Sequence, residues 1–241
     1  MRVIVFASQK GGSGKTTLSG HIAVEAERAG AGPVALIDTD PQGSLAKWWN
    51  VRKDPQPAFV QSVFSNLFQD LDQARNEGFR LVVIDTPPAV TRAISEVVSF
   101  ADLVVLPTRP SPHDMRAVGP TVDIVEARGK PMVFVVNSAP MKARITSEAA
   151  IALSQHGTVA PTVIHQRVDF AASMIDGRTV MEIDPAGRSS KEIQELWKYL
   201  YERLQRADGA YAGVEDAGRA GVANVMPFGR RGRAFGRRAA H

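Results

Sequence analysis

Cysteine is absent from this chain of 241 residues, so neither a disulfide framework nor a thiolate metal site is available to it. No apolar run approaches the roughly 20 residues of a membrane-spanning helix. An apolar segment already begins by Val3, so we expect no signal peptide. The five histidines lack the spacing of a metal site, and no Ser-His-Asp set is evident. These absences exclude a cysteine nucleophile and argue against a histidine metal site and a Ser-His-Asp catalytic triad.

The overall composition is that of a globular protein with a basic end. Hydrophobic residues make up 44% of the sequence, which is enough for a buried core. The net charge of +4 is placed unevenly, because residues 207–241 contain six arginines and three acidic residues, among many Gly and Ala. We therefore predict an ordered domain over residues 1–206 and a flexible tail over residues 207–241. Such a tail favours an acidic partner surface, either nucleic acid or anionic lipid.

Short apolar segments alternate with segments of helical periodicity along the first 206 residues. The segments that we predict as strands are residues 2–8, 34–37, 81–84, 103–106, 132–136 and 159–164. The longer predicted helices cover residues 15–29, 63–77, 114–127 and 189–205, and residues 51–61 remain an unassigned connection. Continuous apolar strands separated by helices indicate a mostly parallel sheet between two helical layers, which is a three-layer α/β sandwich.

A glycine-rich stretch joins the first predicted strand to the first predicted helix. Its residues are Gln9, Lys10, Gly11, Gly12, Ser13, Gly14, Lys15, Thr16 and Thr17. The glycines let backbone N–H groups line an anion-sized hollow, towards which the positive end of the helix points. Lys15 would reach the β- and γ-phosphates of a nucleoside triphosphate, and the Thr16 hydroxyl would bind Mg²⁺. Gln9 replaces the first glycine of the strict P-loop pattern, and the alternative is a glycine-rich turn with chance lysines.

Carboxylates follow two further strands. Asp85 ends an apolar strand, where it would hold Mg²⁺ through water; the alternative is a helix cap or a turn residue. Asp38 and Asp40 come just after the strand at residues 34–37. One of them would support the Mg²⁺ shell while the other orients an attacking water, and the alternative is an Asp-Pro turn.

Two other strand ends carry candidate contacts for the base. Residues 107–112, which begin with Pro107, are too rich in proline for a helix and form either a rigid wall against the base or a stiff connection. Asn137 offers the donor and acceptor that the edge of adenine needs, or it is a simple turn residue. Because ligands of parallel sheets bind at the carboxyl ends of the strands, we expect all these residues to converge there.

Three of these segments together resemble the signature boxes of the ParA/MinD ATPases. Residues 10–17 resemble the deviant Walker A box, residues 38–43 (DTDPQG) the family's second box, and residues 85–88 the Walker B box. The resemblance covers residues 1–206, and within the family the chain is most similar to the small ParF-type ParA partition proteins. It implies a P-loop NTPase fold, binding of ATP and Mg²⁺, and an ATPase activity that is weak alone and stimulated by a partner protein.

The resemblance also implies roles for single residues. The catalytic residues would be Lys10, Lys15 and Asp40, and the metal ligands Thr16, Asp38 and Asp85. In an ATP-bound homodimer, Lys10 would cross the interface and touch the phosphates of the partner. Asp40 would position the attacking water, whereas Asp38 would support the Mg²⁺ site.

By the same resemblance, the ATP-bound dimer binds DNA without sequence preference and works with a ParB-like or other activating protein. We then expect the protein in the cytoplasm, associated with the nucleoid, where it segregates or positions plasmid, chromosome or protein cargo. The candidate DNA contacts are Lys142, Arg144, Arg167, Arg188, Lys191, Arg230, Arg231 and Arg233.

Two other functions compete with this hypothesis. A MinD-like regulator that cycles on membranes is the main alternative; the glycines and the proline of the tail disfavour the amphipathic helix that it needs. A metabolic P-loop enzyme is a further alternative, which Lys10 and the box at residues 38–43 disfavour.

Overall fold

The computed structural model describes residues 1–89 and 91–215, and for residues 207–215 it describes the backbone alone. Within these residues the strands are β1 (Arg2–Phe6), β2 (Val34–Asp38), β3 (Ala58–Gln61), β4 (Leu81–Asp85), β5 (Leu103–Thr108), β6 (Met132–Val136) and β7 (Thr158–Val159). The helices are α1 (Lys15–Arg28), α2 (Ser44–Val51), α3 (Leu67–Asn76), α4 (Arg92–Ser99), α5 (Pro112–Arg116), α6 (Gly119–Ala127), α7 (Arg144–Ser154), α8 (Val168–Met174), α9 (Val180–Ile183) and α10 (Arg188–Glu215). No helix of the described part is both long and apolar enough to span a membrane.

The strands form one sheet in the order β3-β2-β4-β1-β5-β6-β7, and each pairing is parallel. Side chains of β1 alternate between two cores: Ile4 and Phe6 pack with α1, α2 and α10, whereas Val3 and Val5 pack with α3, α4 and α6. Because both faces of the sheet are covered, its central strands are continuous apolar runs. The predicted three-layer α/β fold is therefore confirmed.

Two predicted elements have different bounds because of proline. The helix predicted over residues 114–127 is divided into α5 and α6. Pro120 lies in the first turn of α6, where its missing N–H is tolerated, but it could not continue a helix that began earlier. The strand predicted over residues 159–164 is only the short β7, and Pro161 lacks the N–H that would extend it.

Two further elements differ from the prediction, one because it was not assigned and one because it is longer. The connection at residues 51–61 contains β3, which pairs with β2 at the edge of the sheet. The helix predicted over residues 189–205 is α10, which continues to Glu215 and so crosses the predicted domain boundary at residue 206. That boundary stays a prediction, and the predicted tail beyond Glu215 lies outside the described residues.

His21 connects α1 to α9 inside the first core. Its side chain is fully buried, with Nδ1 2.7 Å from the carbonyl oxygen of Thr17, and Nε2 accepts a hydrogen bond from the backbone N–H of Val180 at 3.3 Å. Burial lowers the pKa of His21 to about 4, although the hydrogen bond to Thr17 opposes this shift. The fold therefore holds the neutral imidazole, with the proton on Nδ1.

We expect His21 to make the folded protein sensitive to mild acid. An unfolded histidine titrates near pH 6.5, so between that pH and 4 the unfolded chain binds more protons and folding stability falls as the pH is lowered. The contribution of His21 to the free energy of unfolding should drop by about 2 kcal/mol between pH 7 and pH 5. Urea unfolding at both pH values, compared with His21→Gln, measures it, since the other titrating groups are common to both proteins. Equal losses in the two proteins would contradict the assignment.

Candidate nucleotide-binding site

The carboxyl ends of the central strands meet at one edge of the sheet. In the register of the sheet, Asp85, the last residue of β4, lies opposite Asp38 of β2 on one side and opposite Phe6 of β1 on the other. The backbone N–H of Asn137, just after β6, donates to the carbonyl oxygen of Thr108 at the end of β5 at 2.9 Å. The structure therefore brings the predicted site segments together around the loop that follows β1.

Residues 9–14 form most of the loop between β1 and α1, which we call the phosphate loop. Gly12 and Gly14 have φ angles of +73° and +96°, in the left-handed region that favours glycine. A Cβ at Gly14 would also overlap Nδ2 of Asn137, so only glycine fits there. Because α1 begins at Lys15, its unpaired N–H groups and the positive end of its dipole face the loop.

Lys15, Thr16 and Asp85 form what we call the buried charged cluster behind the phosphate loop: Lys15 and Asp85 are buried, and Thr16 is half-buried. The Thr16 hydroxyl donates to Oδ2 of Asp85 at 2.7 Å. Burial raises the pKa of Asp85 to about 7, an effect that the Thr16 hydrogen bond and the Lys15 charge oppose. Burial likewise lowers the pKa of Lys15, against the attraction of Asp85 and Asp40. Since burial disfavours the charged form of each group, a bound phosphate and a divalent cation would stabilise both.

A phosphate and Mg²⁺ fit the residues of this cluster. The Ser13 hydroxyl beside it is buried and has no hydrogen-bond partner in the described part of the chain. No group of three or more His, Asp or Glu side chains is arranged as a metal site within residues 1–89 and 91–215. Mg²⁺ commonly takes one or two protein carboxylates together with water and substrate phosphates. Thr16 and Asp85 would hold it in this way, and Ser13 and Lys15 would face the phosphates.

Asp38 has no exposed surface, and both of its carboxylate oxygens accept backbone hydrogen bonds. Oδ1 accepts from the N–H of Asp40 at 2.9 Å, and Oδ2 from the N–H of Ala46 at 3.0 Å, in the first turn of α2. Burial raises the pKa of Asp38, and these hydrogen bonds oppose the shift. Asp38 therefore shapes the segment between β2 and α2, and its part in binding Mg²⁺ stays a prediction.

Asp40 is less constrained than Asp38. It is half-buried; its Oδ1 accepts from the N–H of Gln42 at 2.9 Å, and Oδ2 makes no hydrogen bond among the described residues. The N–H and hydroxyl of Thr39 both donate to the carbonyl oxygen of Asp85, at 3.0 and 2.8 Å. Thr39, to which the sequence assigned no role, thus holds Asp40 at the end of β4. Its position between two candidate aspartates is the sequence feature from which its role in the site could have been predicted.

We expect Asp38→Ala to destabilise the fold much more than Asp40→Ala. The first change leaves two N–H groups without an acceptor, one of them buried, and should lower the free energy of unfolding by about 2 kcal/mol. The second should cost about 0.5 kcal/mol or less, because Asp40 is half-buried. Urea unfolding of the nucleotide-free protein measures both values. Equal losses would contradict the bracing role of Asp38.

Asn137 directly follows β6, and Pro107 lies within β5 rather than in a loop. Nδ2 of Asn137 donates to the carbonyl oxygen of Ser13 at 2.7 Å, so the amide braces the phosphate loop, and its contact with adenine stays a prediction. Pro107 is a buried residue within β5. The N–H of Ala7, just after β1, donates to the carbonyl oxygen of Val105 at 3.1 Å, and Pro107 has no N–H with which β5 could continue this pairing. Its contact with the base also stays a prediction.

The candidate DNA contacts differ in how exposed they are. The exposed ones are Lys142 and Arg144 near the start of α7, and Arg188 and Lys191 at the start of α10. The side chain of Arg167 is 16% exposed, and its two terminal nitrogens donate to Glu192 at 2.6 and 2.8 Å. A DNA phosphate would have to compete with that carboxylate. The remaining candidates, Arg230, Arg231 and Arg233, lie outside the described residues.

A parallel sheet whose first strand leads through a glycine-rich phosphate loop into a helix defines a P-loop nucleotide-binding protein. Residues 4–180 match the sequence profile described as the CobQ/CobB/MinD/ParA nucleotide binding domain. The chain therefore belongs to this family, and the resemblance to the ParA/MinD proteins is confirmed.

Known proteins similar to this chain agree with the assignment. The protein named maintenance of carboxysome distribution protein A from Gloeobacter kilaueensis is 31% identical over 211 residues, which cover 85% of this chain and 94% of the relative. Its namesake from Halothiobacillus neapolitanus is 29% identical over 205 residues, with coverages of 80% and 93%. The solved structure of septum site-determining protein MinD with Mg-ADP from Pyrococcus horikoshii has a TM-score of 0.70 and 14% identity, and the match covers 83% of this chain and 95% of that one. At this identity the structural likeness shows the fold alone.

Proposed function

We propose that this protein is an ATPase that dimerises on binding ATP, binds DNA without sequence preference, and segregates or positions a cargo. The observation that carries the proposal is the different placement of two lysines. Lys15 is buried beside Asp85, whereas Lys10, at the other end of the phosphate loop, is exposed. A lysine that stands outside the buried charged cluster is available to a nucleotide on a second copy of the chain.

Each residue of the site then has a separate task. Lys15 and the N–H groups at the start of α1 bind the phosphates, while Thr16 and Asp85 hold the cation. Asp40 orients a water molecule towards the terminal phosphate, and Lys10 of a second copy adds positive charge there. ATP with Mg²⁺ supplies the phosphoanhydride bond that this water cleaves. Hydrolysis would therefore depend on dimerisation.

The relatives support a positioning role. Two of them carry names that refer to carboxysome distribution, so a protein assembly is a cargo as plausible as a plasmid or a chromosome. The protein would act in the cytoplasm, on the nucleoid, and an activating partner of ParB-like or other kind would stimulate hydrolysis.

DNA binding in the presence of nucleotides tests the proposal. With ATP and Mg²⁺, the purified protein should bind DNA fragments of unrelated sequence equally well, and binding should weaken steeply with salt because phosphate contacts release counterions. The double variant Arg188→Ala and Lys191→Ala should bind DNA more weakly at unchanged ATP affinity. The matched control is Arg75→Ala with Arg128→Ala, two exposed arginines at the ends of α3 and α6.

Two outcomes would contradict the proposal. If DNA binding is the same with ATP, with ADP and without nucleotide, the ATP-bound dimer is not the form that binds DNA. Sedimentation with anionic liposomes that requires ATP and is lost on removal of residues 216–241, without DNA binding, would establish the membrane-cycling alternative instead.

A further inference from the structure

Arg109 follows β5 directly and is held in one orientation by a buried carboxylate. Its Nε donates to Oδ1 of Asp114 at 3.0 Å, and its Nη2 donates to Oδ2 at 3.4 Å. Asp114 is itself 4% exposed and accepts a hydrogen bond from the Ser111 hydroxyl. Ser111 in turn caps α5, since its Oγ accepts from the N–H of Asp114 at 3.1 Å. The guanidinium is therefore fixed by the first turn of a helix.

The remaining terminal nitrogen of Arg109, Nη1, faces the phosphate loop. A Cβ at Gly12 would lie 3.9 Å from this atom, so the guanidinium approaches the loop where a side chain is absent. Nη1 makes no hydrogen bond within the described part of the chain, although Nε and Nη2 both do. The side chain is 37% exposed, so a ligand at the loop can reach it. Asp114 thus occupies one edge of the guanidinium and leaves the other edge turned towards Gly12.

The position of Gly12 indicates which phosphate the guanidinium would meet. In a P-loop, the glycine-rich backbone cradles the α- and β-phosphates, the conserved lysine reaches the β- and γ-phosphates, and the threonine hydroxyl binds the cation. Here the lysine and the threonine are Lys15 and Thr16, in the buried charged cluster. Gly11 and Gly12 are exposed and form the open side of the loop. The terminal phosphate would lie on this open side, because the loop backbone already encloses the two inner phosphates. An arginine fixed there presents two N–H donors to phosphate oxygens, and arginine suits such planar, charge-assisted contacts.

We propose that Arg109 binds the terminal phosphate of the nucleotide in its own phosphate loop and so makes the site distinguish ATP from ADP. The proposal rests on the proposed function, because it requires a nucleoside triphosphate in this loop. It adds a cation that the family boxes at residues 10–17, 38–43 and 85–88 do not contain. Asp114 is then a positioning residue, which keeps Nη1 aimed at the loop.

Nucleotide affinities of matched variants test the proposal. Dissociation constants are measured by calorimetry, with Mg²⁺, for ADP and for a non-hydrolysable ATP analogue. Arg109→Gln removes the charge, Arg109→Lys keeps it, and Arg75→Gln removes an exposed arginine on α3 as the control. We expect Arg109→Gln to weaken binding of the ATP analogue by about tenfold or more and binding of ADP by less than about threefold. Arg109→Lys should recover part of the lost discrimination.

Some results would overturn the proposal, and one further variant separates its failure from that of the proposed function. Equal weakening of both nucleotides by Arg109→Gln, or no weakening of either, overturns the proposal, because a phosphate-directed contact must act on the triphosphate. Thermal unfolding of each variant shows whether it is folded. Lys15→Ala separates this failure from that of the proposed function: if Lys15→Ala loses both nucleotides while Arg109→Gln loses neither, the nucleotide site stands and only Arg109 is excluded. If the wild-type protein binds neither nucleotide, the proposed function falls as well.

Discussion

Lys15→Ala should abolish nucleotide binding. Lys15 is 6% exposed and lies in the field of Asp85 and Asp40, so its ammonium is a cation that the site would present to the phosphates. A hydrogen bond to a charged group contributes about 1.5–3 kcal/mol, and this lysine would contact more than one phosphate. We therefore expect the affinities for ATP and ADP to fall by at least about a hundredfold. Calorimetric titration with Mg²⁺ measures the change.

The matched control for this variant is Lys198→Ala. Lys198 is an exposed lysine on α10, so its removal changes the net charge equally without touching the phosphate loop. It should bind both nucleotides as the wild-type protein does. The Lys15→Ala protein should stay folded, because burial already disfavours the charged lysine in the nucleotide-free state. Binding by Lys15→Ala within about threefold of wild type would contradict the site.

Asp40→Ala should stop hydrolysis while nucleotide binding persists. Asp40 is the half-buried carboxylate of its segment with a free Oδ2, and Thr39 fixes it at the end of β4. A group that positions or deprotonates attacking water accelerates a reaction by about 10²–10⁴-fold, so we expect a loss of that size in the rate of ATP hydrolysis. The ATP-bound dimer should then accumulate, which size-exclusion chromatography with light scattering would detect.

Asp72→Ala serves as the control for Asp40→Ala. Asp72 is an exposed aspartate on α3, and its loss should leave the hydrolysis rate and the oligomeric state unchanged. Near-normal hydrolysis by Asp40→Ala would show that another residue orients the water. Both carboxylate oxygens of Asp38 accept hydrogen bonds from backbone N–H groups. Asp38, at the end of β2, is therefore not an equivalent replacement for Asp40 in orienting water.

The fold and the phosphate loop were predictable because local sequence determines them. A strand buried on both faces needs a continuous apolar run, and a loop that wraps phosphate needs glycine at left-handed positions such as Gly12 and Gly14. The edge strand β3 gave no such signal, because it has four residues, of which only Phe59 is buried. A pattern this short does not distinguish a strand from a connection.

The tasks of single site residues were less predictable, because they depend on contacts made after folding. Asp38 was expected at Mg²⁺, yet its oxygens accept from Asp40 and from Ala46, eight residues away. Asn137 was expected at adenine, yet its amide reaches Ser13, 124 residues away in the sequence. The sequence identifies these residues as belonging to the site, whereas the partners that define their tasks come from the packing of β2, β6 and the phosphate loop.

In the proposed dimer, Lys10 serves the nucleotide of a second copy of the chain. Lys10→Ala and Asp40→Ala are each expected to be inactive, and mixing them before ATP is added tests the claim. In a mixed dimer, the site of the Lys10→Ala copy keeps its own Asp40 and receives Lys10 from the other copy. At equal amounts and with random pairing into two-fold dimers, hydrolysis should recover to about a quarter of the wild-type rate. A mixture as inactive as its separate components would contradict the claim and place Lys10 on its own nucleotide.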